Sequence, residues 1–234
     1  MTYPTRLDTF DLGKWGTCQF LNWTHPEEGK KEFTERQIDW LAQFIKPGDS
    51  CVDIGAYTGD TALPMAIAAG KTGEVIAFEP NPVTHEILVQ NAKLNPQFAR
   101  IKCRKCAIGS AGSSAVFHYD ATGMNGGLIP NEPMAVTVKM ERLDKCIFKR
   151  RLAFAKIDAE GQDGEILWDN MELFKGNKTV VQVERYPHLD SARATDLWRA
   201  IFAYGTPFIE HDWERAPLTT LPPGLCNIVI TPHA

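Results

Sequence analysis

Carboxylates that fall at the ends of apolar runs are the residues of this sequence best placed to do chemistry. Asp53 lies in Cys51-Val-Asp-Ile-Gly-Ala-Tyr-Thr-Gly59, Glu79 ends Glu74-Val-Ile-Ala-Phe78, and Asp158 and Glu160 end Ala153-Phe-Ala-Lys-Ile157. The first motif is a strand running into a glycine-marked turn that opens a helix, the geometry at which α/β sheets bind nucleotides. A dinucleotide fingerprint needs a second glycine so that backbone can approach a pyrophosphate, and Tyr57 occupies that place. No Gly-Lys-Ser/Thr follows, so a phosphate-gripping loop is excluded as well.

The ligand expected at residues 53–59 therefore lacks phosphates. S-adenosylmethionine suits it: a carboxylate for backbone N–H groups of Ala56, Tyr57 and Thr58 at the helix start, and ammonium and sulfonium charges that favour a nearby acid, Asp53. Glu79, 20 residues beyond Gly59, is placed to accept hydrogen bonds from both ribose hydroxyls. Asp158 and Glu160 are the candidate catalytic groups, for placement and for removal of a proton from an acceptor hydroxyl. Glu184 ends a further apolar run and with Asp158 could hold a divalent cation, a possibility left open rather than assigned. His118, His188 and His211 are lone histidines for which a surface role outweighs that of a base. Asn125, Gly126 and Gly127 either contact an acceptor or form a turn. Cys103 and Cys106 form a C-x-x-C, but residues three apart on a strand face opposite sides and no second pair completes a zinc site.

These residues need a scaffold of alternating strands and helices. Apolar periodicity predicts a helix over 34–45, a strand over 50–56, a helix over 61–69 and a strand over 74–78. It continues with a helix over 83–94 and a strand over 100–108. The alternation resumes with a strand over 153–157, a helix over 163–174, a strand over 179–184 and a helix over 192–204. An antiparallel pair, 208–211 with 226–231, closes the chain. Such an order implies a doubly wound, mostly parallel α/β sheet in a single domain over 1–234. Residues 1–33 form an N-terminal cap, and 110–140 form an insertion over the site.

Five blocks in order, Val52-Asp-Ile-Gly-Ala-Tyr-Thr-Gly-Asp60, Ala77-Phe-Glu-Pro-Asn-Pro82, Ala107-Ile-Gly109, Leu143-Asp144 and Lys156-Ile-Asp-Ala-Glu-Gly161 with Val183-Glu184 after it, resemble the FkbM family of methyltransferases. The resemblance implies a class I methyltransferase (Rossmann-like) sheet with an antiparallel last strand. It also implies methyl transfer from S-adenosylmethionine to a hydroxyl oxygen of a sugar, polyketide or related small molecule. By position it gives Asp53, Gly55, Tyr57 and Gly59 to the methionine end, Glu79 with Pro80 and Asn81 to the ribose, and Cys106 with Ala107 to the adenine edge. The family's usual acid in the helix after Gly161 falls here at Asp163 or Glu165.

The competing readings are a nicotinamide-dependent dehydrogenase, which Tyr57 disfavours, and a non-catalytic cofactor-binding module. A net charge of −4 and a pI near 5.9 supply no global field for a nucleic acid partner. No run approaches the roughly 18 apolar residues of a membrane span, and a cytoplasmic location is expected. The acceptor, the oligomeric state and the pathway are left open.

Overall fold

The computed structural model of the chain describes residues 4–26, 28–109, 113–120, 126–128, 132–146, 148, 150–185, 189–211, 214–218 and 226–233. In chain order the elements are β1 (Thr5–Asp11), β2 (Thr17–Trp23), α1 (Glu35–Leu41), β3 (Ser50–Ile54), α2 (Ala62–Ala69), β4 (Glu74–Phe78), α3 (Pro82–Leu94) and β5 (Arg100–Arg104). Then follow β6 (Ala107–Ile108), β7 (Ser114–Tyr119), β8 (Gly126–Gly127), β9 (Met134–Glu141), β10 (Leu152–Ile157), α4 (Asp163–Asp169) and α5 (Met171–Asn177). The last are β11 (Val180–Arg185), α6 (Ser191–Tyr204), β12 (Gly205–His211), β13 (Glu214–Pro217) and β14 (Cys226–Pro232).

The central sheet has the order β13-β12-β14-β11-β10-β3-β4-β5. The ladders joining β11, β10, β3, β4 and β5 are parallel, and β14 is antiparallel to both β11 and β12. This is the doubly wound α/β sheet with a reversed last strand. Every residue of β3, β4 and β10 is buried, as a sheet covered on both faces requires. Cys51, Val75, Ala77 and Phe154 pack into the layer of α1 and α2, whereas Val52, Ile54, Ile76 and Phe78 pack with residues of α4, α5 and α6. Cys103 and Cys106 fall into these opposite layers, and all six cysteines are free.

Two expected elements are divided. The run 100–108 leaves the main sheet after Arg104, and its last two residues pair with β9 in a separate sheet of order β6-β9-β7-β8. The helix expected over 163–174 breaks at Asn170, whose side-chain amide donates to the Ile166 carbonyl at 2.8 Å, the local bonding by which asparagine competes with helix continuation. The helix expected over 34–45 is α1 alone, capped by Thr34 Oγ1 accepting from the Gln37 N–H. At the end of the chain β13 joins the expected antiparallel pair.

The N-terminal segment forms a two-stranded antiparallel hairpin docked on α3. Asn91 accepts from the Leu21 N–H at 2.7 Å and donates to the Thr58 carbonyl at 2.9 Å. Asn95 accepts from Gln19 N–H and donates to Gln19 O, both at 2.8 Å. One buried amide thus ties the hairpin to the turn after β3.

The parallel register sets Ile54 beside Phe78 and beside Ile157, and Ile157 beside Val183. The next residue on each chain forms one row along the carboxyl edge: Glu79, Gly55, Asp158 and Glu184. Gly55 has φ +79°, and a β-carbon there would lie 1.8 Å from the Asp158 carbonyl oxygen. Gly55→Ala is therefore expected to cost at least about 2 kcal/mol in denaturant unfolding, because it adds a left-handed alanine to a backbone clash. A loss under about 0.5 kcal/mol would contradict this close approach.

Candidate active site

A cavity of about 290 Å³ opens along that row. Glu79, Pro80 and Asn81 line it from the end of β4, Gly55 and Tyr57 from the turn after β3, Ala107 and Ile108 from β6 with Cys106 just before it, and Lys156, Asp158, Ala159 and Glu160 from the end of β10. Phe117 and residues 126–128 cover it from the smaller sheet. Ile54, Phe78, Ile108, Phe117, Leu128 and Ile166 give it apolar walls.

Glu79 is 5% exposed, and its two oxygens accept backbone N–H bonds from Tyr57 at 2.7 Å and Asn81 at 2.8 Å. One carboxylate thereby joins the turns after two adjacent strands while keeping acceptor capacity for a further donor. Burial is the main force raising its pKa, to about 7, against the N–H bonds from Asn81 and Tyr57 and the Thr84 hydroxyl, which lower it. Tyr57 sits at φ +49° and Glu160 at φ +51°, a left-handed conformation uncommon for residues with side chains, and both border the cavity. Such strain concentrates where a site is held in a set geometry.

Asp53, Ala56, Thr58 and Gly59 are not among the residues that line the cavity. Asp53 is fully buried; Oδ2 accepts from Thr61 Oγ1 at 2.5 Å, whereas Oδ1 has no partner. Burial raises its pKa to about 6, opposed by the Lys156 charge. Through Thr61 it supports the entry of α2. Gly59, at φ +95°, would place a β-carbon 2.9 Å from the Leu88 side chain, so any side chain there would press on α3.

At the end of β10, Lys156 is 7% exposed and its Nζ lies 2.6 Å from Asp158 Oδ2. Burial pushes the Asp158 carboxyl upward, but Lys156 and a hydrogen bond from Glu184 outweigh it and hold the group below the usual value. Glu184 is pushed up instead, first by burial and then by the Asp158 charge, so the pair holds its proton on Glu184. Glu160 has no hydrogen-bond or ion-pair partner among the described residues, and burial followed by the Asp158 charge raises it to about 7. The local backbone is capped not by Glu160 but by Asp163, whose Oδ2 accepts from the Ala159 and Gly161 N–H groups, both at 3.3 Å.

Among the described residues no group of three or more His, Cys, Asp or Glu converges on a metal position, and beside Asp158 the Lys156 ammonium already supplies a cation. His118 is half-buried and does not line the cavity. Asn125, His188 and the side chain of His211 lie outside the described residues. Sequence reasoning gave no role to Lys156, Asp60, Glu28 or Lys31, all of which line the cavity. For Lys156 the signal was there, a lone lysine in an otherwise apolar strand.

Residues 53–205 match the methyltransferase FkbM domain. The chain belongs to the FkbM methyltransferase family. Methyltransferase sdnD of Sordaria araneosa is 32% identical over 82 residues, which are 35% of this chain and 31% of that protein, so the chain spans less than a third of the curated relative it matches. The methyltransferase FkbM of Methylobacillus flagellatus superposes with a TM-score of 0.51 at 14% identity, over 82% of this chain and 50% of that one. A SAM-dependent O-methyltransferase of Thermotoga maritima gives 0.50 at 10% identity, over 98% and 77%. At such identities these two structures speak for the fold alone. No helix among the described residues is long and apolar enough to cross a membrane.

The buried acids also set a pH dependence of stability. Asp53 at about 6, and Glu79, Glu160 and Asp163 at about 7, all stand above their unfolded values, chiefly because of burial. Such groups contribute stability that is complete below the unfolded values near 4 and is lost as pH rises through 6 to 7. His85, lowered mainly by burial, opposes the trend as a single group. The melting temperature without ligand is expected to fall between pH 5.5 and 8, measured by scanning calorimetry; a rise across that window would contradict the buried acids.

Proposed function

We propose that this chain transfers the methyl group of S-adenosylmethionine to a hydroxyl oxygen of a small-molecule acceptor, a sugar, polyketide or related compound. The observation that carries the reading is the sheet's carboxyl edge, where a buried acid with spare acceptor capacity, Glu79, and an unpaired acid near neutrality just past the end of β10, Glu160, line one cavity. The residues suit this cofactor. Glu79 can accept from a ribose diol. Ile108, Ile166 and Phe78, with Cys106 and Ala107, offer the flat apolar space that an adenine needs. Tyr57 occupies the position at which a dinucleotide's pyrophosphate would require a glycine, which disfavours the nicotinamide alternative.

When bound, S-adenosylmethionine supplies an electrophilic methyl carbon on a leaving thioether. The chain's part is to place the acceptor oxygen, take its proton and exclude water. Glu160 suits the proton transfer because its pKa stands at about 7, near the pH at which a base works best. Asp158, held ionised by Lys156 and Glu184, is the fixed negative charge suited to a neighbouring sulfonium. The small sheet of β6, β7, β8 and β9, within the 110–140 insertion except for β6 and the end of β9, serves as the cover that keeps water out. A net charge of −4 supports a small acceptor rather than a nucleic acid.

Incubating the protein with metabolite extracts and isotopically labelled S-adenosylmethionine is expected to label a hydroxyl compound, detected by mass spectrometry. Labelled RNA instead would overturn the acceptor class, and no labelled product at all would favour the binding-module reading. Glu79→Ala should weaken S-adenosylmethionine and S-adenosylhomocysteine alike by roughly tenfold to a hundredfold in calorimetry, since a buried carboxylate bond contributes about 1.5 to 3 kcal/mol. With the acceptor in hand, turnover should rise with pH through about 7 as Glu160 loses its proton. Glu160→Gln at saturating cofactor should abolish that rise and lower turnover by about 10²- to 10⁴-fold. Near-normal turnover in this variant would remove Glu160 as the base.

A further inference from the structure

One end of the cavity is built by residues that precede the segment matched to the family. Glu28 and Lys31 line it together with Tyr57, Asp60 and Thr61. Lys31 Nζ lies 2.9 Å from Glu28 Oε1 and 3.1 Å from Asp60 Oδ2, and 5.3 Å from the centre of the Tyr57 ring. The other Glu28 oxygen accepts from the Tyr57 hydroxyl at 2.9 Å. The Glu28 side chain is only 7% exposed, unlike an ordinary surface ion pair.

The backbone that carries this cluster is fixed. The Lys31 N–H donates to Asn22 Oδ1 at 2.8 Å and its carbonyl accepts from Asn22 Nδ2 at 3.3 Å, with Asn22 itself 3% exposed on β2. The Glu28 N–H donates to the His25 carbonyl at 3.0 Å. The hairpin is in turn anchored on α3 through Asn91 and Asn95.

Two acids face one base here, and the ammonium of Lys31, with three donors, spends two of them on Glu28 and Asp60. A group carrying an anion and a cation one carbon apart satisfies all three side chains: its carboxylate takes the remaining Lys31 N–H, and its ammonium balances the excess acid. We infer that Lys31, Glu28 and Asp60 form the subsite for the α-amino acid end of the cofactor, Lys31 pairing with its carboxylate and the two acids with its ammonium. The inference rests on the S-adenosylmethionine reading above and assigns its specificity for the amino acid end to the N-terminal cap. A nucleoside that lacks the amino acid leaves the subsite unfilled and should be indifferent to it.

Calorimetry of the full chain with S-adenosylhomocysteine and with 5′-methylthioadenosine, which lacks the amino acid, tests the assignment. Lys31→Met should weaken S-adenosylhomocysteine by about tenfold to a hundredfold, as expected for a lost charge-assisted bond, and leave 5′-methylthioadenosine unchanged. Lys31→Arg should keep most of the affinity for S-adenosylhomocysteine. Retained nucleoside binding reports that the variant is folded with its adenosine site intact. Unaltered S-adenosylhomocysteine binding in Lys31→Met, or equal loss for both ligands, would overturn the subsite while the parent's binding upholds the cofactor. Failure of the parent chain to bind either ligand would overturn the cofactor reading, and the subsite with it.

Discussion

At Gly55 two neighbouring strand ends pass so closely that the Asp158 carbonyl oxygen sits where a side chain would begin. The Asp158 N–H donates to the Ile54 carbonyl at 2.9 Å, and the Gly55 and Ala56 N–H groups both donate to the Phe78 carbonyl. Three strand ends are thereby locked at one level. Everything else in the site inherits that level: Glu79 on one side of the glycine and Asp158 and Glu184 on the other are brought into line by register, without any direct bond between the two sides. A parallel sheet does this readily because all its central strands end at the same edge.

The electrostatics follow from the same packing. Six carboxyls, Asp53, Glu79, Asp158, Glu160, Asp163 and Glu184, sit in a region with one buried ammonium, Lys156. The protein divides the charge unequally: Lys156 keeps Asp158 ionised, whereas burial leaves the others near neutrality in their protonation. Acids of one type are thus made to differ by their neighbours, which is how one cavity can hold a fixed charge and a proton acceptor together.

Much of this was legible in the sequence because a buried parallel strand has a plain signature. Runs such as Val75–Phe78 are continuous apolar segments, and a strand end marked by an acid or glycine points to the functional edge. The alternation of strands and helices therefore fixed the sheet, and the acids at its edge could be named. Contact was harder to see than position. Asp53 and Gly59 belong to the same short motif as Gly55 and Tyr57, yet only the latter two line the cavity: Asp53 bonds to Thr61 at the entry of α2 and Gly59 lies against Leu88 of α3, contacts that no spacing within the motif announces. The contribution of Glu28 and Lys31 depends on a hairpin docking against α3 through side-chain amides some 70 residues distant in sequence, which no local pattern reveals. The breaks at Lys105 and Asn170 are likewise tertiary: one comes from recruitment of two residues into a second sheet, the other from a single amide that bonds back on its own helix.

The amide of Asn91 has a consequence for how this architecture can be divided and recombined. It holds the hairpin backbone at Leu21 and the loop backbone at Thr58 with the same side chain, so a boundary drawn at residue 53 cuts through one hydrogen-bonded unit. A chimera that joined residues 53–205 to the leading segment of another protein would leave a buried amide facing an unmatched backbone. The donor and acceptor at position 91 would have to be redesigned together with whatever strand was laid over them, making that position the natural junction at which N-terminal segments can be exchanged or are refused.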